Sequence, residues 1–129
     1  MNDSIRAGMM AALLVCTAAA LGQSGPWSGK IIDHTGDLHD FSETAALIGA
    51  LDLVISIDTA AAHLAGALGK PVWVLLAAVP DWRWLPRAGA AQWYPTATLF
   101  RQRTEGDWAG VVAEVRRALV ERGGAGQPS

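Results

Sequence analysis

The sequence predicts an α/β fold built on a parallel sheet, and three observations predict it. Two short apolar runs, Leu53 to Ile57 (LVISI) and Val72 to Leu76 (VWVLL), are β-branched and almost wholly apolar, as strands buried on both faces are. Between them lies an alanine-rich helical stretch, Thr59 to Leu68, ended by Gly69 in the position where a left-handed residue is wanted. Lys70-Pro71 then turns the chain, so Leu51 to Leu76 reads as strand, sharp turn, helix and second strand, the unit that generates parallel sheets through a right-handed crossover. The 129 residues are enough for one domain with a core and too few for two of ordinary size.

Each element follows in order. Ala7 to Leu21 (AGMMAALLVCTAAAL) is an apolar stretch behind Arg6, shorter than the about 20 residues of a comfortable membrane span. It reads either as an amphipathic or buried first helix, or as a secretory h-region with Ala18 and Ala20 ahead of Gly22; Asp3 beside Arg6 weakens the secretory reading. With the glycine- and serine-rich linker that follows, residues 1–29 stand apart from a folded unit over 30–122. Lys30 to Ile32 is a short predicted strand. Asp40 and Glu43 form a capping-box-like pair opening a helix through Ala50, with Phe41, Ala45 and Ile48 on one face.

Leu53 to Ile57 is expected to be central in the sheet. In the helix behind it, small residues Ala62 and Gly66 permit close approach to the sheet, and packing has to offset the roughly 1 kcal/mol that glycine costs against alanine. Ala77 to Tyr94 is loop-like, broken by Pro80, Pro86 and Gly89, yet carries Trp82, Trp84, Trp93 and Tyr94. Thr98 to Gln102 is an expected edge strand. Asp107 caps a last helix, Trp108 to Arg122, whose Val111, Val112, Val115 and Leu119 stripe faces the core, and 123–129 is a frayed tail.

Composition excludes several function classes. With 51% hydrophobic and 17% charged residues the chain is far from the disordered class, and a net charge of −2 gives no general attraction for nucleic acid. The single cysteine, Cys16, rules out an internal disulfide framework and suits a reducing compartment, so a cytoplasmic protein is expected, with export the alternative and membrane association not expected. No G-x-G-x-x-G, Walker lysine, C-x-x-C or H-x-x-x-H is present, and Ser56 lacks a G-x-S-x-G frame; neither a metal nor a cofactor is called for. Charges are sorted, with Asp33, Asp37, Asp40, Glu43, Asp52 and Asp58 before the central helix and Arg83, Arg87, Arg101 and Arg103 after it. They either rim one cleft or are ordinary solvated charges.

The Asp58-Thr59 corner is the first candidate site. A helix N-terminus leaves N–H groups unpaired and carries roughly half a positive charge, which a diphosphate satisfies. Asp58 serves equally well as a helix cap, and a carboxylate bonded to those N–H groups needs no ligand. His63, one turn beyond Thr59 on the same face, can donate a hydrogen bond to a phosphate or sugar oxygen, or can simply pack. Pro80 to Trp84 (PDWRW) follows the second strand at the edge where open α/β sheets hold ligands. There Trp82 and Trp84 either stack on a ligand, with Arg83 or Arg87 for phosphate or carboxylate, or seal the loop.

The combination DFSETAALIGALDLVISIDTAAAHLAGALGKPVWVLL, then PDWRW, WYPT, LFRQ and GDW, resembles the end of heptosyltransferase-like glycosyltransferases of family nine, in the form that follows tetratricopeptide repeats in bacterial proteins. The likeness covers about Lys30 to Arg122. It implies a Rossmann-like sheet with flanking helices, the C-terminal half of a B-type glycosyltransferase fold with the sheet incomplete, and transfer from a nucleotide-sugar donor without a metal requirement. By position, Asp58, Thr59 and Ala60 meet the donor diphosphate and sugar with His63 beside them, while His39, Asp40 and Phe41 lie near the base or ribose. Ala60 stands where the family commonly has glycine; its N–H survives, but a positive φ is strained for it. The acceptor domain and its general base have no counterpart, so no catalytic residue is assigned. The expected partners are a nucleotide-sugar donor and either an N-terminal acceptor domain or a second copy. The alternative is a non-catalytic interaction or dimerisation module in which the tryptophan-rich loop and an open sheet edge pair with another chain.

Overall fold

The structure is a computed structural model that describes residues 14–16, 34, 36–84 and 93–124. The sheet has four strands in sequence order: β1 (Leu14–Cys16), β2 (Leu53–Ile57), β3 (Val72–Leu76) and β4 (Ala97–Arg101). β2, β3 and β4 are parallel, with Val54 opposite Val72 and Val72 opposite Ala97; β1 is antiparallel to β2, with Leu14 opposite Ile55. β2 is therefore interior, as expected. Helices α1 (Phe41–Ala50), α2 (Ala60–Ala67) and α3 (Trp108–Gly124) flank the sheet. This is an α/β, Rossmann-like arrangement.

The strands' lack of polar alternation has a direct cause. Val54, Val72, Val74 and Leu76 face Ile48, Leu51, Ala62 and Ala65, on the α1 and α2 side. Leu53, Ile55 and Trp73 point the other way and pack on Val111 and Val115 of α3. Successive residues thus meet apolar partners on opposite faces, so both faces need apolar side chains.

β1 corrects one expectation. Within the stretch 7–21, read from sequence as a helix or a secretory h-region, Leu14–Cys16 are extended. The outer edge of β2 offers a row of N–H and C=O groups that a strand can pair, and β-branched Val15 is suited to extended backbone. The other residues of 7–21, the linker, the strand expected at 30–32 and the tail from 125 on lie outside the described residues.

α1 begins as its sequence indicates. Asp40 is the N-cap and accepts from the Glu43 N–H at 2.9 Å, while the Glu43 carboxylate accepts from the His39 N–H at 2.5 Å. The buried face differs from the expected one. Thr44 and Ile48 are buried and Phe41 is half exposed. Thr44 can turn inward because its hydroxyl donates to the Asp40 carbonyl at 3.0 Å, which removes the penalty for burying it. α2 ends in a Schellman motif: Gly69 has φ of 69°, its N–H donates to the Gly66 carbonyl, and the Lys70 N–H donates to the Ala65 carbonyl.

β4 starts and ends one residue earlier than expected. Asp107 caps α3 through a 2.9 Å bond from the Gly110 N–H. α3 runs to Gly124 and buries Val111 and Val115, with Ala118 and Leu119 beside them, but Val112 is 57% exposed. The helix is rotated so that its apolar face centres between Val111 and Val115, which carries Val112 out to the rim.

Candidate functional site

The site lies where the parallel strands end. After Ile57 the chain leaves β2, and Thr59, not Asp58, is the N-cap of α2, with extended backbone (φ −142°, ψ 170°) and no side-chain capping bond. Its hydroxyl instead meets the Ser56 hydroxyl at 3.0 Å, and Ser56 donates to the Ile57 carbonyl at 2.8 Å, which leaves Thr59 as the donor of the pair. The reading of Asp58 as a simple cap is therefore set aside. Ala60 is the first helical residue, so alanine in place of glycine demands no positive φ there.

Asp58 turns to His63. Its Oδ1 lies 3.3 Å from Nε2 of the imidazole, and both side chains are about one-third exposed. The other ring nitrogen, Nδ1, lies 3.0 Å from the Tyr94 hydroxyl. Trp84 stacks against the imidazole with ring centres 5.1 Å apart and planes 29° from parallel, and Tyr94 meets it edge-on at 5.6 Å. The histidine is thus boxed: a carboxylate on one nitrogen, a phenol on the other, an indole on its face.

Gly66 makes room for this box. A methyl group at that position meets Cγ of Tyr94 at 2.4 Å, so the missing side chain accommodates the tyrosine ring rather than the sheet. Ala62 alone takes the expected place in the core beneath the helix.

In the tryptophan-rich loop Trp84 seals onto the domain and Trp82 stays exposed. Trp82–Trp84 form one 3₁₀ turn in which Trp84 is 2% exposed and packs into the α1 and α2 side of the core, its carbonyl accepting from Arg101 at 2.5 Å. Trp82 is 63% exposed, touches Trp93 edge-to-face at 6.3 Å and carries the Arg83 guanidinium 5.2 Å from its ring centre. Arg83 is itself held by Asp81 at 2.9 Å. Arg87 lies outside the described residues.

The structure brings Asp58, Thr59 and His63 together. His39, Asp40 and Phe41 sit at the start of α1, where Asp40 is engaged in capping. Among the described residues, no hydrogen bond, ion pair or ring contact joins Asp40 or Phe41 to that corner, and no group of three or more His, Cys, Asp or Glu side chains converges to hold a metal. Sequence reasoning missed Tyr94 and Trp84 as partners of His63; the one available signal was Gly66, a costly residue in a helix body. It also missed Gln102. This side chain is 4% exposed, and its Oε1 accepts from the Ala78 and Gly106 N–H groups, both at 3.2 Å, tying together the loops after β3 and β4.

Comparison with known proteins finds a family resemblance over the stretch that contains this corner. Residues 38–92 match glycosyltransferase family 9 (heptosyltransferase). Protein FlbA of Caulobacter vibrioides is 37% identical over 95 residues, which is 72% of this chain and 15% of FlbA, so the chain spans a small part of that relative's length. No solved structure matches. Residues 38–92, with the Asp58 to His63 corner inside them, are thus similar to glycosyltransferase family 9 (heptosyltransferase).

Proposed function

We propose that this chain binds a nucleotide-sugar donor at the N-terminus of α2, as the donor-side half of a B-type glycosyltransferase whose acceptor side comes from elsewhere. The observation that carries this reading is a helix start with no side-chain cap and three polar residues, Asp58, Thr59 and His63, at its mouth. Their chemistries divide the ligand. An ionised carboxylate only accepts hydrogen bonds, so Asp58 suits sugar hydroxyls, whereas the first N–H groups of α2 at Ala60 and His63 Nε2–H suit phosphate oxygens. His39, Asp40 and Phe41, at the start of the neighbouring α1, form the side facing the base or ribose. No residue of this chain is assigned to proton abstraction from the acceptor, so glycosyl transfer requires the other half.

Calorimetric titration of the full chain with GDP-, ADP- and UDP-linked sugars tests this. One of them binds, and Asp58→Ala and His63→Ala each weaken it about tenfold or more, as expected for losing a hydrogen bond to a charged group worth roughly 1.5–3 kcal/mol. A folded sample that binds none, or variants with unchanged affinity, contradicts it. The exposed Trp82 and Trp93 favour a second reading, an interaction or dimerisation module. Light scattering that shows a dimer lacking nucleotide-sugar affinity favours that alternative.

A further inference from the structure

We infer that Tyr94 is the positioning residue of this corner: its hydroxyl holds His63 in the state that presents Nε2–H outward, so that the histidine is always a hydrogen-bond donor at the mouth of α2. The Asp58 carboxylate can only accept, so with Oδ1 3.3 Å from Nε2 the proton of a neutral imidazole sits on Nε2. Nδ1 is then an acceptor, and the Tyr94 hydroxyl at 3.0 Å is its donor.

The two partners are unequal in permanence. Asp58 is one-third exposed and can turn to water or to a ligand's hydroxyls. Tyr94 cannot leave so easily, because its ring fills the space above Gly66 and packs against the core on the α1 and α2 side. When a ligand oxygen replaces Asp58 at Nε2, Tyr94 still occupies Nδ1. A phenol O–H donates more readily than its oxygen accepts, so the contact biases Nδ1 toward the acceptor state; without it that bias is lost, and a proton on Nδ1 turns an acceptor nitrogen toward an anionic ligand. Trp84 supports the same end by fixing the plane of the imidazole through the 5.1 Å stack.

This inference rests on the donor-site reading for its consequence but not for its geometry, and the test separates the two. The protein is the full chain, labelled with ¹⁵N, in mildly alkaline buffer, with His34 and His39 as internal comparators. Ring-nitrogen correlation spectra of the free wild type are expected to place the His63 proton on Nε2. In Tyr94→Phe, which keeps the ring and removes the hydroxyl, the His63 Nδ1 resonance moves. Affinity for whichever of UDP-, ADP- or GDP-glucose the wild type binds falls about three- to tenfold in that variant. A wild-type proton on Nδ1, identical His63 spectra in the two proteins, or unchanged affinity in Tyr94→Phe overturns the inference. If the variant does not fold, Asp58→Ala decides: with Tyr94 in place the proton is expected to stay on Nε2, and its move to Nδ1 overturns the inference. Absence of any affinity in the wild type contradicts the donor-site reading instead, and the spectra judge Tyr94 alone.

Discussion

Replacing Trp84 by alanine is expected to lower folding stability by about 3–5 kcal/mol, the range for truncating a large aromatic in a packed core. Trp84 is 2% exposed and belongs to the cluster of Ile48, Leu51, Val74 and Leu76, so little of the resulting cavity is open to relaxation. Against a total stability of about 5–15 kcal/mol for a domain, that loss brings the chain near unfolding. One feature moderates it: the indole N–H is buried without a hydrogen-bond partner, an arrangement that already costs about 1–3 kcal/mol. Trp84→Phe removes that orphan donor while keeping an aromatic face toward His63, so its loss is expected to be well below that of the alanine variant. Trp82, two residues earlier but 63% exposed, provides the control: its alanine variant stays near wild type. Urea unfolding midpoints compare all three. A Trp84→Ala protein as stable as the wild type contradicts the placement of this loop in the core.

Gly66→Val is expected to destabilise by about 2 kcal/mol, although valine has the better helix propensity. That propensity favours the change by only a few tenths of a kcal/mol. Against it, the first added carbon alone meets Cγ, Cδ1 and Cδ2 of Tyr94 at 2.4, 2.7 and 2.8 Å. These atoms are the root of the ring, not the end of a flexible chain, so Tyr94 must shift as a body, and overpacking of this kind costs about 1–3 kcal/mol. In Gly66→Ala the propensity gain is larger, on the order of 1 kcal/mol, and offsets more of the clash. Stability measured by thermal unfolding is therefore expected to rank glycine above alanine above valine. A valine variant more stable than wild type contradicts the contact between α2 and Tyr94.

What was legible in the sequence was local. β2, α2, β3 and the Gly69 stop follow from a short apolar run, an alanine-rich stretch and one glycine, each acting within a few residues. The Asp40–Glu43 and Asp107 caps are equally local. Rotation about a helix axis was less legible. Phe41 was grouped on one face with Ala45 and Ile48, and Val112 was put on the core-facing stripe, because they are apolar, but Thr44 could satisfy its hydroxyl on the Asp40 carbonyl and take the inner place, and Val111 with Val115 drew α3 round. Asp58, Thr59 and His63 could be grouped because five residues of chain connect them. Tyr94 could not, since it is 31 residues from His63 and arrives only once β3 and β4 are paired. β1 is the extreme case: pairing with β2, a non-local edge contact, decides its conformation against the helical look of its neighbours.

The central claim is that the mouth of α2, between Ser56 and His63, is where a sugar nucleotide sits. The most direct measurement is mapping of backbone amide shifts across the full ¹⁵N-labelled chain as UDP-, ADP- and GDP-linked sugars are added. The expected result is one nucleotide that perturbs Ser56, Thr59, Ala60, Ala61 and His63 most. No perturbation by any of them, or perturbation confined to the exposed outer face of α3 around Trp108, Val112 and Val120, contradicts it.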